Sequence, residues 1–453
     1  MRYILFVFIL LSACKEIPQN SKIKNSFSVE QISDGVIYEV NIRQYSKEGT
    51  FDGFTKDIPK LKALGVKVLW LMPIHPISKE KRKGELGSYY SVSNYKGINP
   101  EFGDDESFDR LVQTAHDNDM LLIIDWVANH TGWDHPWIKT NPDFYTKNEM
   151  GEITDPINPE TGQSWGWTDV ADLNFDNLEM QDAMISAMEY WVREKNIDGF
   201  RFDAAHGCPV DFWKKTMEKL TKIKPLFTIA ESDGYHPGGF ELVELFNMSY
   251  SWRGHHVMNE IAQKHKTANA LLENIQTNTE DYSSNHLLMN FTSNHDENSW
   301  GGTVFERLGQ SVKTFAALTY FLPGMPLIYS GQEYGLNKRL AFFEKDFIEK
   351  DQTNFVSFYS QLSKLKKTYS QLHFKKDVRF SILNSSNPNT VVFERSRNKK
   401  PLYFIANLSE KEQQIETPIT GSFTSLMDNT ELNLQGTLKL APWEYHFLNP
   451  LNE

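Results

Sequence analysis

The chain has 453 residues, of which 40% are hydrophobic, and this is enough for a large α/β barrel together with a small extra domain. Its formal net charge at pH 7 is −12. A surface that binds phosphates needs positive charge, so this balance argues against nucleic acid as a partner.

The first 28 residues have the features of a targeting segment followed by a polar tether. The apolar run at residues 4–11 is too short to cross a bilayer. It leads into Leu11-Ser12-Ala13-Cys14, which resembles the lipobox of bacterial lipoproteins. That resemblance implies a lipid on Cys14 and a position outside the cytoplasm, anchored to the bacterial envelope. Glu16, close behind the lipid site, favours the outer membrane and its surface. An ordinary signal peptide with a chance cysteine is the alternative.

From residue 34 to about residue 369, short apolar strands alternate with amphipathic helices, which predicts parallel strands joined by helical crossovers. The first crossover is predicted as one helix with Phe54, Ile58 and Leu61 on one face, ending at Gly65. Eight strand–helix units indicate a (β/α)8 TIM barrel, which we place at residues 29–370. The strands are predicted at residues 36–40, 66–71, 121–125, 199–203, 226–230, 246–250, 286–291 and 325–329.

Two segments depart from this alternation. Residues 131–172, after the third strand, have no clear period and are rich in Trp, Pro, Asn, Gly and Asp. A loop of this length is usually functional, and we predict that it forms an inserted domain over the carboxyl face of the barrel. After residue 370 the helical period stops, and residues 391–395 and 402–406 have the pattern of a hairpin. We therefore predict a C-terminal antiparallel β-domain at residues 371–453.

Four predicted strands lead into acidic residues at the end where barrels hold their active sites: Asp125, Asp203, Glu231 and Asp296. Alternation along the fourth strand puts Arg201 on the same side as Asp203. An arginine beside a carboxylate favours the ionised form that a nucleophile requires, and a glutamate behind an apolar strand suits a general acid. Any one of these acids is equally explained by a helix cap or a structural ion pair. Together they fit glycoside hydrolysis, which needs an acid and a nucleophilic carboxylate.

These segments resemble the four signature regions of the α-amylase family, glycoside hydrolase family 13, in the same order. Residues 125–130 resemble region one, residues 199–203 region two, Glu231 region three and residues 294–296 region four. Residues 170–174 (VADLN) resemble the additional region near the end of the family's domain B. The resemblance covers nearly the whole mature chain, because the family also has an insertion after strand three, called domain B, and a C-terminal β-domain.

The resemblance implies a retaining hydrolase acting on α-glucosidic bonds of starch-like glucans or maltooligosaccharides, with no cofactor in the chemistry. Asp203 would be the nucleophile, Glu231 the acid and then the base, and Asp296 the group that stabilises the oxocarbenium-like transition state. Other residues would line subsite −1, which holds the sugar under attack: Tyr90, Asp125, His130, Arg201 and His295. Tyr89 is the alternative to Tyr90 if the match is shifted by one residue.

The chain departs from the family pattern just after region two. Typical members continue with Lys-His, whereas this chain has Ala204-Ala205-His206-Gly207, so the lysine of subsite +2 is missing. Asn129 and Asp172 match positions that bind calcium in some members. Calcium takes six to eight oxygens, so a calcium site and a metal-free set of hydrogen-bonded residues both stay open.

Several alternatives share the same site. An exo-acting α-glucosidase, a cyclomaltodextrinase or neopullulanase, and a transglycosidase all fit the motifs, and so do α-1,4 and α-1,6 bonds. A non-catalytic glucan-binding lipoprotein is the remaining alternative, against which the chain keeps all three carboxylates. Trp133, Trp165 and Trp167 would either line the plus subsites or pack the insertion. The sequence gives no indication of oligomeric state.

Overall fold

A computed structural model describes residues 27–158, 161–350, 353–383 and 387–451. The predicted targeting segment and Cys14 therefore lie outside the described residues. Eight parallel strands form a closed barrel in which each strand pairs with the next and the last pairs with the first, which confirms the (β/α)8 prediction. The strands are β1 Val36–Val40, β2 Val66–Leu71, β3 Leu121–Val127, β4 Gly199–Asp203, β5 Phe227–Ala230, β6 Met248–Tyr250, β7 Leu287–Asn290 and β8 Met325–Tyr329.

Helices join the strands along the chain. They are α1 Ile42–Tyr45, α2 Phe51–Thr55, α3 Ile58–Ala63, α4 Asp105–Asp117, α5 Trp137–Thr140, α6 Leu178–Arg193, α7 Val210–Thr221, α8 Gly239–Val243, α9 Trp252–Ala262, α10 Ala268–Asp281, α11 Val304–Leu308, α12 Val312–Phe321 and α13 Thr353–Thr368. The single helix predicted after β1 is wrong, because Phe54 lies in α2 whereas Ile58 and Leu61 lie in α3. Pro59 stands in the first turn of α3, and a proline has no N–H with which to continue a helix from α2.

The insertion after β3 contains more regular structure than its sequence pattern predicts. Two short strands, His130–Gly132 and Val170–Asp172, pair antiparallel where the insertion leaves and rejoins the barrel. Between them lie α5, a 3-10 turn at Pro142–Phe144 and isolated bridges such as Lys147 with Ile153. Short bridges of this kind leave no hydrophobic period in the sequence, which is why the segment resembles an irregular loop.

Side chains on β4 alternate as predicted. Phe200 and Phe202 face outward, where their rings meet those of Trp126 and Trp213 in the layer between barrel and helices. Arg201 therefore points into the barrel. The barrel interior below it is filled by a separate apolar cluster that includes Ile37, Trp70, Ile123, Phe227, Ile229, Met289 and Leu327.

The C-terminal strands form an antiparallel β-domain, as predicted. They are β9 Val378–Leu383, β10 Thr390–Arg397, β11 Lys400–Asn407, β12 Gln413–Glu416, β13 Gly421–Ser425, β14 Thr430–Leu434, β15 Thr437–Leu440 and β16 Tyr445–Pro450. The predicted hairpin is β10 paired with β11. The six-stranded sheet has the order β9-β10-β11-β16-β13-β14, and β12 pairs separately with β15. Arg395 joins this domain to the barrel by donating to the carbonyls of Phe321 and Leu322 at the end of α12.

Candidate active site

Arg201, completely buried on β4, contacts three carboxylates at the carboxyl end of the barrel. Its Nη1 donates to Oδ1 of Asp125 at 2.8 Å and to Oδ1 of Asp203 at 2.9 Å. Its Nη2 lies 3.0 Å from Oε2 of Glu231, and its Nε donates to the hydroxyl of Tyr250 at 3.1 Å. One guanidinium thus holds the acids of three neighbouring strands in fixed relative positions.

The two aspartates that share Nη1 have raised pKa values. Burial raises the pKa of Asp203, and the nearby Asp296 raises it further. Arg201 lowers this pKa but does not outweigh burial. The prediction that Arg201 favours the ionised form of Asp203 is therefore incomplete, because burial and Asp296 act in the opposite direction. Burial likewise raises the pKa of Asp125 to about 7, against the opposing effect of Arg201 and with a further rise from Asp203. Carboxylates packed this closely raise one another's pKa.

Tyr90 and His295 face this group from loops after β2 and β7. The hydroxyl of Tyr90 donates to Oδ2 of Asp125 at 3.1 Å and lies 2.6 Å from Nε2 of His295. The two rings are stacked, with centroids 5.4 Å apart. The ring of Tyr89 instead packs against Arg43, whose Cζ lies 4.3 Å from the centroid of that ring. The structure therefore brings Tyr90, and not Tyr89, to the predicted acids.

His295 lies between two further carboxylates. Its Nδ1 is 2.5 Å from Oε1 of Glu39 on β1, and its Nε2 is 3.3 Å from Oδ2 of Asp296. Burial lowers the pKa of His295, but Asp296 and Glu39 together raise it to about 9. The ring is therefore an imidazolium at neutral pH, with both nitrogens as donors.

The sequence interpretation missed Glu39. The available signal was an acidic residue in the middle of an apolar strand, Val-Ile-Tyr-Glu-Val, where a charge without a partner is costly to bury.

His130 begins the short strand that leads out of β3 into the insertion. It is buried, it hydrogen-bonds the main chain of Tyr90, and its ring centroid lies 5.9 Å from that of Trp167. Burial lowers the pKa of His130 to about 4, against a smaller rise from Asp169. It is therefore neutral, in contrast to His295.

The departure from the family pattern after Asp203 has a structural counterpart. Ala204 has a φ of 39°, a left-handed conformation that alanine rarely adopts. In this turn the N–H of Ala204 donates to Oε2 of Glu231 at 2.7 Å. His206 follows, with Nδ1 at 3.4 Å from the carbonyl of Glu231 and its ring 4.8 Å from that of His236. Backbone strain at a functional site is common, and here it aims a donor at Glu231.

Asn129 and Asp172 lie close together at the base of the insertion. The carbonyl of Asn129 accepts from the N–H of Leu173, and Asp172 pairs with His130. Burial raises the pKa of Asp172 to about 6, with a hydrogen bond from Thr146 lowering it and the nearby Asp155 raising it. Within the described segments, no three His, Cys, Asp or Glu side chains are grouped to hold a metal ion. Two side chains do not by themselves fit calcium, which takes six to eight oxygens. Calcium binding here stays a prediction, which the effect of EDTA on thermal unfolding would test.

Comparison with known proteins agrees with this architecture. The chain matches the family described as Alpha amylase, catalytic domain over residues 24–373. It is 27% identical to Alpha-amylase 3 of Dictyoglomus thermophilum over 74% of this chain and 69% of that protein. It is 26% identical to Alpha-amylase MalA of Haloarcula japonica over 72% of this chain but only 48% of that protein.

Among solved structures, an α-amylase from Lactobacillus plantarum superimposes with a TM-score of 0.83 at 25% identity, covering 93% of this chain and 100% of that one. The family match spans the whole barrel and every residue of the site described above. The chain therefore belongs to the α-amylase family, glycoside hydrolase family 13, and is a glycosidase of that family.

Proposed function

We propose that this protein hydrolyses α-glucosidic bonds of starch-like glucans or maltooligosaccharides with retention of configuration, in the manner of an α-amylase. The observation that carries the proposal is the position of Asp203 and Glu231 on the two terminal nitrogens of Arg201. Retaining glycosidases need a nucleophile and an acid held close together, about 5 Å apart, on either side of the scissile bond. The names of the two α-amylase relatives support the same activity.

In the proposed reaction Asp203 attacks the anomeric carbon while Glu231 gives its proton to the leaving glycosidic oxygen. The products of this step are a β-glucosyl ester on Asp203 and the shortened sugar. Glu231 then takes a proton from water, whose oxygen displaces Asp203 and restores the α-configuration. Asp296 and His295 would face the hydroxyls of the same sugar, where charge develops.

Substitution of the two central acids tests these roles. Asp203→Asn and Glu231→Gln keep side-chain shape and are each expected to lower the turnover of soluble starch at least about 1,000-fold. Asp211→Asn, an exposed acid-to-amide change on α7, is the matched control and should retain activity. Full hydrolysis by Asp203→Asn, or an inverted first product in proton NMR, would overturn the assignment.

Product analysis separates the alternatives that share this site. An α-amylase is expected to release mixed oligosaccharides from maltoheptaose at early times. Glucose alone, released from the non-reducing end, would instead identify an exo-acting α-glucosidase. Products longer than the substrate would identify a transglycosidase, and cleavage of pullulan or cyclodextrin in preference to starch would identify the remaining alternatives.

We also propose that Cys14 carries lipid and anchors the protein outside the cytoplasm, at the bacterial outer membrane. The support is the lipobox-like sequence. No helix in the described part of the chain is both long and apolar enough to cross a bilayer. Metabolic labelling with a fatty-acid analogue should mark the wild-type protein and not Cys14→Ser. Protease treatment of intact cells then distinguishes the cell surface from the inner leaflet.

The start of the described chain indicates how such an anchor would orient the enzyme. The ring of Phe27 lies 5.6 Å from that of Phe227, the first residue of β5, at the amino end of the barrel. Asp203 ends β4 and Glu231 follows β5, both at the carboxyl end. A tether from Cys14 would therefore join the barrel on the side opposite the active site, which would leave the groove open to polymeric substrate.

A further inference from the structure

Positive charge is concentrated in one stretch of this acidic chain. Residues 361–400 contain ten of the 47 lysines and arginines and only two of the 59 aspartates and glutamates. This stretch therefore carries a formal charge of +8, whereas the net charge of the whole chain is −12. It contains the end of α13, strands β9 and β10 and the start of β11. A local excess of this size attracts a negatively charged partner even though the protein as a whole is acidic.

Most of the basic side chains in this stretch face solvent. Lys366 and Arg395 are buried, and both donate to main-chain carbonyls. Asp377, one of the two acids, forms an ion pair with Arg397 at 2.7 Å, so it does not offset the remaining positive charge. Six exposed side chains form what we call the basic surface: Lys364, Lys367, Lys376, Arg379, Lys399 and Lys400.

The fold brings the parts of the basic surface together. Strands β9 and β10 pair so that Val378 lies opposite Arg397. The side chain of Gln371, just after α13, donates to the carbonyl of Lys400 at 3.2 Å, at the turn between β10 and β11. The end of α13, the start of β9 and the β10–β11 turn therefore lie next to one another.

This region lies at the amino end of the barrel, opposite the active site. In α13, Ser363 is packed against Gly65, which directly precedes β2, and a Cβ at Gly65 would lie 2.8 Å from that of Ser363. On β10, Arg395 donates to the carbonyls of Phe321 and Leu322, shortly before β8 begins. Both contacts are made where barrel strands start, whereas the catalytic acids stand where strands end.

The tether from the proposed lipid anchor joins the barrel at the same end. Phe27 contacts Phe227 at the start of β5, and Phe374 packs against the same apolar cluster as Phe27. Residues 15–26 separate Phe27 from Cys14. A chain of this length reaches at most about 45 Å even when fully extended. A lipid on Cys14 would therefore keep the basic surface near the bilayer.

We propose that the basic surface binds the phosphate groups of an anionic phospholipid bilayer, in the membrane that holds the lipid anchor. This inference rests on the proposed anchoring through Cys14 and deepens it. A lipid restrains only the end of the tether, whereas charge contacts across one face also fix how the enzyme is turned. With the amino end of the barrel against the membrane, the groove faces away from it. Nucleic acid offers similar charge, but a protein held at the envelope meets lipid phosphates first.

Vesicle binding by a protein without lipid tests the surface apart from the anchor. The full chain with Cys14→Ser should bind phosphatidylcholine vesicles that contain about 30% phosphatidylglycerol at least about tenfold more tightly than vesicles of phosphatidylcholine alone. The preference should decline as salt is raised, because salt screens contacts between exposed charges. Equal binding to the two kinds of vesicle would overturn the proposal. Tighter binding to a short DNA duplex than to the anionic vesicles would also overturn it.

Two triple variants with the same loss of charge separate the basic surface from net charge. They are Lys376→Gln/Lys399→Gln/Lys400→Gln on the basic surface and Lys56→Gln/Lys139→Gln/Lys79→Gln, at exposed lysines on the segments that follow β1, β3 and β2. The first should weaken binding to the anionic vesicles roughly 30-fold to 100-fold, because each lysine near an anionic surface contributes separately. The second should leave this binding close to that of the parent protein. Equal weakening in both variants would overturn the assignment to this surface.

Starch turnover tests the orientation. Binding to the anionic vesicles should leave turnover unchanged, because the groove faces away from the bilayer. Inhibition by the anionic vesicles that disappears in the first triple variant would place the membrane at the catalytic end and overturn the orientation. If a fatty-acid analogue does not label the wild-type protein, the proposed anchor fails, while vesicle binding still decides the role of the basic surface.

Discussion

Oε1 of Glu39 lies 2.5 Å from Nδ1 of His295, and both side chains are buried in the barrel. The pair fixes the protonation of the histidine, and through it the other contacts of the ring. Because the raised pKa makes the ring an imidazolium, Nδ1 donates to Glu39 and Nε2 donates to the Tyr90 hydroxyl, which donates onward to Asp125. Glu39, on β1, thus helps to position Asp125 through a chain of three hydrogen bonds.

Removal of the charge on Glu39 should therefore alter the pH dependence of the enzyme. Glu39→Gln keeps the shape of the side chain but withdraws one of the two carboxylates that raise the pKa of His295 to about 9. We expect the pKa of His295 to fall and the alkaline limb of the kcat/KM profile to move to lower pH. We also expect kcat/KM at neutral pH to fall roughly tenfold to a hundredfold. NMR titration of His295 and a pH–rate profile are the measurements.

Glu333→Gln is the control for this change. Glu333 is also a fully buried glutamate in the barrel, bonded to the hydroxyl of Tyr38 at 2.5 Å, but it does not contact His295. Its substitution should leave the alkaline limb where it is. An identical limb in wild type and Glu39→Gln would show that His295 is not held as an imidazolium by Glu39.

The same pair predicts how stability depends on pH. The pKa of His295 is about 9 in the folded protein and 6.5 in its ordinary state. The group therefore contributes its full stability below pH 6.5 and loses it as pH rises through 9. We expect wild type to lose about 3 kcal/mol of its free energy of unfolding over this window through His295 alone. The difference in the free energy of urea unfolding between wild type and His295→Gln should be smaller at pH 9.5 than at pH 6. An equal difference at the two pH values would contradict the prediction.

The barrel was predictable because its strands are short apolar runs between amphipathic helices, and the acids stand where those runs end. Apolar and charged residues alternate along β4, so the sequence alone predicts which side chains point into the barrel and which point outward. They are Phe200, Arg201, Phe202 and Asp203. The partner of Glu39 was not predictable, since His295 is 256 residues away along the chain. The strained turn at Ala204 was equally hidden, because no local pattern requires an alanine to adopt φ of 39°.

The two neighbouring tyrosines allow a direct test of register. Tyr90→Phe keeps the ring stacked on His295 but removes the hydroxyl that joins His295 to Asp125. We expect kcat to fall roughly tenfold or more, with thermal stability changed by only about 1 kcal/mol. Tyr89→Phe removes the same atom from the adjacent residue, whose ring packs on Arg43, and should leave kcat close to wild type. If Tyr89→Phe has the larger effect on kcat, the assignment to subsite −1 is shifted by one residue.

A single glycine at the start of β4 allows β4 and β5, the two central catalytic strands, to approach closely. Gly199 has a φ of 154°, and a Cβ placed there would lie 1.8 Å from the carbonyl oxygen of Phe227 on β5. That oxygen belongs to the backbone and cannot rotate away, so Gly199→Ala must separate β4 from β5. We expect it to lower the free energy of unfolding by at least about 3 kcal/mol and to reduce activity, since Asp203 ends β4 and Glu231 follows β5. Gly436→Ala, at φ of 107° with nothing within 4 Å of its Cβ, isolates backbone strain and should cost only about 1–2 kcal/mol. Equal losses in the two variants would show that strain, and not the contact with Phe227, sets the requirement for glycine at residue 199.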